Sequence, residues 1–181
     1  GMYINEGCRH FVTVKSEMRA IEPVIAHEMT HGCVAHLPLP LWLNEGIAVN
    51  MERRLTGIPP ALYTPLELHE QHLEFWGDAE VQEFWSGASF HRGGASNTLS
   101  YDLARILTEQ LAKEWGSFKG FVGKADREDA GKAAARGHLG VRLGEILCAL
   151  LERDYSTRWE PDPLRWEASD ETRTDLANGA P

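Results

Sequence analysis

His27-Glu28-Met29-Thr30-His31 decides how this chain is read, because the residues around it, from about Glu17 onward, have the spacing of a helix. On an α-helix, residues four apart stack on one face, so His27 and His31 present two imidazoles side by side. Two such rings can grip one Zn²⁺ at ~2.0–2.1 Å each. Glu28 then lies where it can take a proton from a metal-bound water. At about 100° per residue, Ala20, Val24 and Val34 fall on or beside the histidine arc, and Ile21, Ile25 and Met29 are expected to cover the far side. The helix therefore reads as apolar nearly all round. A buried imidazole pair needs hydrogen-bond partners or a metal. The two outcomes are a metal site and a pair of satisfied core histidines.

Downstream, Leu37-Pro38-Leu39-Pro40 ends this helix, because proline cannot continue it. A second helix is expected from about Leu41 to Leu55, with Gly57 as its stop. Glu45 falls in its first turns among Trp42, Leu43, Ile47, Ala48 and Val49. A carboxylate in such company is costly unless paired or metal-bound. Catalytic zinc sites usually have three protein ligands and a water. The bland alternative for Glu45 is a surface charge that suits the positive end of the helix dipole.

With H-E-x-x-H at residues 27–31 and W-L-x-E-G-x-A at residues 42–48, the chain resembles the gluzincin metallopeptidases, the thermolysin-like and aminopeptidase-like group. In that group a second helix supplies a glutamate as third zinc ligand. The resemblance implies a zincin-like core, one Zn²⁺ per chain held by His27, His31 and Glu45, and Glu28 as general base. Aminopeptidase-like gluzincins also place a tyrosine on a later helix to stabilise the oxyanion. Tyr101 is the best positional match here, with Tyr63 and His91 as lesser ones; the plain alternative is a tyrosine packed at a helix start. The resemblance is specific over residues 27–48 and loose elsewhere between about residues 9 and 120. The link from His31 to Glu45 is shorter than in thermolysin-like members. Many gluzincins carry an aspartate four residues after the glutamate to hold a histidine's other ring nitrogen, and Val49 stands there in this chain. Asn44, Asn50, Glu52 or a backbone carbonyl can fill that role.

The remaining histidines form no comparable group. His69 and His72, three apart, sit near Glu67 and Glu74 and are expected on a wet surface. His10, His36 and His138 stand alone, with His36 near enough in sequence to border the site. Cys33, two residues past His31, reads as a core residue.

Composition bounds the fold and the partners. A chain of 181 residues with 43% hydrophobic residues supports one globular domain with a sizeable core. That domain is expected over residues 2–155, with a polar tail over 156–181 that is packed or partly disordered. A net charge of −9 disfavours nucleic acid or an anionic membrane as partner. No apolar run is long enough to span a bilayer. Three cysteines and no signal-peptide pattern suggest reduced thiols in the cytoplasm.

The fold class expected is α+β, predominantly helical. Tyr3–Asn5 and His10–Lys15 read as a short N-terminal hairpin around Glu6-Gly7, and Ser16 as the cap of the first helix. Helices are expected over Leu66–Trp76 behind a Thr64-Pro65 start, Asp78–Trp85, Thr98–Trp115, Ser117–Val122 and Val141–Leu151. Residues 86–97 read as a loop, and 126–140 as a solvated helix and turn. The activity expected is zinc-dependent hydrolysis of a peptide or protein substrate, with an edge strand pairing with extended substrate. The alternative is a zinc-binding scaffold that holds a partner peptide without cutting it. The short N-terminal segment and Val49 favour that alternative. Glu28 opposes it, because a structural zinc has no use for a base.

Overall fold

A computed structural model describes residues 17–57 and 63–166, and the backbone of 2–6 and 8–12. The expected cap Ser16, the expected turn at Gly7, residues 13–15 of the expected second strand and the chain from 167 onward lie outside the described residues. The fold is predominantly helical. The backbones of β1 (Met2–Glu6) and β2 (Cys8–Val12) pair antiparallel, with Tyr3 opposite Phe11. The helices are α1 (Met18–Val34), α2 (Leu41–Thr56), α3 (Pro65–Phe75), α4 (Asp78–Ser86), α5 (Ala95–Leu111), α6 (Trp115–Val122) and α7 (Leu143–Leu150).

Local chemistry explains most of the helix ends. Thr64 accepts from the Glu67 backbone N–H while Glu67 reaches back to Thr64, a reciprocal cap that starts α3. Gly57, with φ at +89°, closes α2, and its N–H donates to the Arg53 carbonyl. α5 begins a turn earlier than expected. Its Ser96 hydroxyl donates to Ser89 O and its Asn97 amide to Phe90 O, so polar side chains recruit the first turn from the preceding loop. That helix also ends sooner, at Leu111. Leu111 is its last buried residue, residues 113–116 face solvent, and Gly116 lies in the first turn of α6.

The core is aromatic. Trp42, Trp76, Phe84, Trp85 and Phe121 are fully enclosed, with Trp42 edge-on to Trp85 at 5.6 Å between ring centres. The Trp42 indole N–H donates to Ala130 O, which ties α2 to the segment after α6. Residues 126–140 are therefore not simply solvated: Ala130, Ala134 and Ala135 are buried, and their small side chains let short helical turns lie flat on the aromatic cluster. Residues 157–166 are also seated on the body. Trp159 is buried, its indole N–H donates to Asp78, and its carbonyl accepts from Trp85.

α2 is the central element, packed against both α1 and α5. Its close approach to α5 requires Gly46. A Cβ there would lie 2.2 Å from the Thr108 hydroxyl and 2.5 Å from the Ala104 carbonyl, so a backbone would have to move. Asn50 locks the same crossing, its side-chain N–H groups donating to Gly46 O and Arg105 O. We expect Gly46→Ala to destabilise the fold by ~1–3 kcal/mol, the cost of overpacking, measured as a lower denaturation midpoint. An unchanged midpoint would contradict this packing.

Candidate metal centre

α1 and α2 run antiparallel, so descending positions on one meet ascending positions on the other: His31 meets Asn44 and Glu45, and His27 meets Glu45 and Glu52. The His27 and His31 rings stand edge to face, 4.7 Å apart. Their Nε2 atoms point at one oxygen, Glu45 Oε2, at 3.2 Å and 3.6 Å. A tetrahedral ion with arms of ~2.0–2.1 Å has ligand–ligand edges of about 3.3–3.4 Å. The two observed separations bracket that edge. His27, His31 and Glu45 offer donor atoms all within 4.8 Å of one another and could hold a metal ion, with no fourth such residue among those described. Imidazole nitrogen with carboxylate oxygen is a donor set that suits zinc.

Each ring's other nitrogen is also held. His27 Nδ1 lies 3.1 Å from Glu52 Oε2, and His31 Nδ1 lies 3.0 Å from Asn44 Oδ1. Glu52 and Asn44 thus fill the orienting role, with an acceptor fixing each imidazole so that Nε2 faces the centre. Asn50, the other asparagine considered, instead serves the α2–α5 crossing.

Without a metal, both nitrogens of His27 face carboxylates, which only accept, so the ring keeps both protons. Burial pulls its pKa down, but hydrogen bonds to Glu45 and Glu52 outweigh this and raise it to about 9. Burial also works against Glu45, and the two histidines overcome it, lowering that carboxyl to about 2. His31 is raised as well, burial again being outweighed by Glu45. The His27 contribution to stability is complete below its unfolded value of 6.5 and lost as pH rises through about 9. That of Glu45 is complete above 4.5 and lost as pH falls through about 2. Metal-free protein is therefore expected to lose stability between pH 6.5 and 9. A metal competes with the Nε2 proton, so its affinity is expected to rise over the same interval. Unfolding titrations of chelated protein and His27→Gln across that range check this; parallel curves for the two would contradict it.

Glu28 lies on α1 beside His27, is 7% exposed, and has no hydrogen-bond partner among the described residues. Tyr101, on α5, sits edge-on to Phe90 at 5.2 Å. Burial first, then the charges of Glu45 and Glu28, push its phenol up to about 12. It therefore keeps its proton, and its electrostatic neighbours are a ligand candidate and the base candidate. Its hydroxyl makes no hydrogen bond among the described residues.

Several expectations change. Met29 is 56% exposed, so the far side of α1 is open at that end, while Ile21 and Ile25 on the same side are half-buried. The same face carries Cys33, which is exposed rather than in the core. α2 and the hairpin pack on other parts of α1, and Met29 and Cys33, four apart, share a face left uncovered. His72 is buried, not on a wet surface. Its Nδ1 accepts from the Trp76 indole, which can only donate, so Nε2 carries the proton and donates to Asp102 at 3.1 Å. His69 instead pairs with Glu152, so the two histidines serve different partners. His36, His91 and Tyr63 are exposed, and no hydrogen bond or ion pair among the described residues joins them to the centre. No helix among the described residues is long and apolar enough to cross a membrane. Comparison with family models, curated proteins and solved structures gives no match.

Proposed function

We propose that this chain is a zinc-dependent peptide hydrolase with a zincin-like core of the gluzincin kind. The observation that carries the proposal is the convergence of both histidine Nε2 atoms on Glu45 Oε2 at tetrahedral-edge distances, while Glu52 and Asn44 hold the rings from behind. His27, His31 and Glu45 would hold the ion. When bound, zinc supplies a Lewis acid that lowers the pKa of a water toward ~7 and polarises a carbonyl oxygen. Glu28 takes the proton from the attacking water and returns it to the amine nitrogen as the C–N bond breaks. Tyr101 donates its retained proton in a hydrogen bond to the oxyanion that forms on the former carbonyl oxygen. The peptide or protein substrate is held in extended form, with an N-terminal strand edge as its pairing partner.

A non-cleaving zinc scaffold is the other reading. Val49, standing where many gluzincins carry an aspartate, favours it; Glu52 supplies an acceptor at the same ring and removes that support. Metal analysis of unchelated protein, coupled to digestion of a broad peptide mixture, tests the proposal. About one zinc per chain is expected, with cleavage abolished by chelation and restored by zinc. Zinc far below one per chain would overturn the metal centre. Full zinc with no cleavage of any peptide would leave the scaffold.

A further inference from the structure

On α2, Ile47, Met51 and Arg54 lie about 180–240° round the helix from Glu45. There, α2, α5 and α6 enclose an open cleft of about 590 Å³. Small-molecule sites fall between ~300 and 1,000 Å³. One wall is apolar, made by Ile47, Met51 and Phe118. Trp115 completes it, 60% exposed and stacked on Phe118 at 5.8 Å, which leaves most of a large apolar ring in water.

The polar side of the cleft is cationic, in a chain whose net charge is −9. Arg105 is neutralised by Asp102 at 2.8 Å and Glu109 at 3.2 Å. Arg53, Arg54 and Lys113 line the same cleft, and their side chains have no ion pair or hydrogen bond among the described residues. Burial, then the neighbouring charge of Arg105, lowers the pKa of Arg53, and the charges of Asp102, Glu52 and Glu109 offset this only in part. A half-buried guanidinium facing another cation is relieved by an anion, and its planar fork suits a carboxylate or phosphate bidentately.

We propose that this cleft binds a small amphiphilic anion. Its phosphate or carboxylate head lies among Arg53, Arg54 and Lys113, and its aromatic or aliphatic body lies against Trp115 and the Ile47–Met51 wall. The site is independent of the metal centre and of any peptide cleavage.

The test uses the full chain titrated with phenyl phosphate, 4-phenylbutyrate and inorganic phosphate, followed by NMR at the Trp115 indole N–H and the Arg53 Nε–H. Saturable shifts are expected with at least one of the two phenyl compounds, the tighter of them identifying the head group. Affinity should weaken as salt is raised. Arg53→Gln and Trp115→Ala, both at a solvent-facing cleft, should each weaken binding about tenfold or more with unchanged circular dichroism. Three results would overturn the proposal: shifts that never saturate, Arg53→Gln binding as tightly as the parent, or inorganic phosphate binding as tightly as phenyl phosphate.

Discussion

Glu28→Gln is expected to bind zinc as the parent chain does and to cleave peptides ~10²–10⁴-fold more slowly. The amide has nearly the shape of the carboxylate and cannot accept the proton. The structure adds a second expectation. Glu28 is 7% exposed, and no hydrogen-bond partner for it lies among the described residues. Replacing it leaves no described partner orphaned. The variant's melting temperature should therefore stay close to that of the parent. Loss of rate with stability kept separates a base from a structural residue. Cleavage at the parent rate, or loss of zinc, would contradict the role given to Glu28.

Glu52→Ala is expected to weaken zinc binding by ~10–100-fold although Glu52 is not a ligand. Its carboxylate lies 3.1 Å from His27 Nδ1 and sets which way that ring faces. Glu52→Gln keeps one oxygen acceptor and should lose less. Asn44→Ala should act in the same direction through His31, more weakly, because a neutral amide accepts less strongly than a carboxylate. Competition titrations with a chromophoric chelator measure all three. Equal affinity for Glu52→Ala and the parent chain would show that the His27 orientation does not depend on this contact.

The His27–His31–Glu45 cluster was legible because helix periodicity is rigid: a spacing of four puts His27 beside His31, and an apolar setting makes a lone Glu45 conspicuous. Glu52 could have been chosen by the same rule. Seven residues are two turns, so it shares the face of Glu45, whereas Asn50 is turned well away from it. The pairing of His31 with Asn44 depended on the antiparallel register of α1 and α2, which no local pattern specifies. Gly46 carried a signal that was left unread, since a glycine inside a helix costs about 1 kcal/mol against alanine and calls for a close neighbour. That neighbour, Ala104–Thr108 on α5, lies far along the chain. Met29 and Cys33 misled for the opposite reason. Apolar residues all round a helix suggest full burial, yet α2 and the hairpin leave the Met29–Cys33 face uncovered, and a large share of any folded surface is apolar. For His72, acidic neighbours along α3 suggested solvent, while its position opposite Asp102 and Trp76 enclosed it.

X-ray absorption at the zinc edge of the loaded protein tests the metal centre most directly. Two imidazole nitrogens at ~2.0–2.1 Å and carboxylate or water oxygen at ~2.0–2.2 Å are predicted, with one imidazole lost in His31→Gln. A sulfur ligand at ~2.3 Å, or an imidazole count that His31→Gln leaves unchanged, would contradict it.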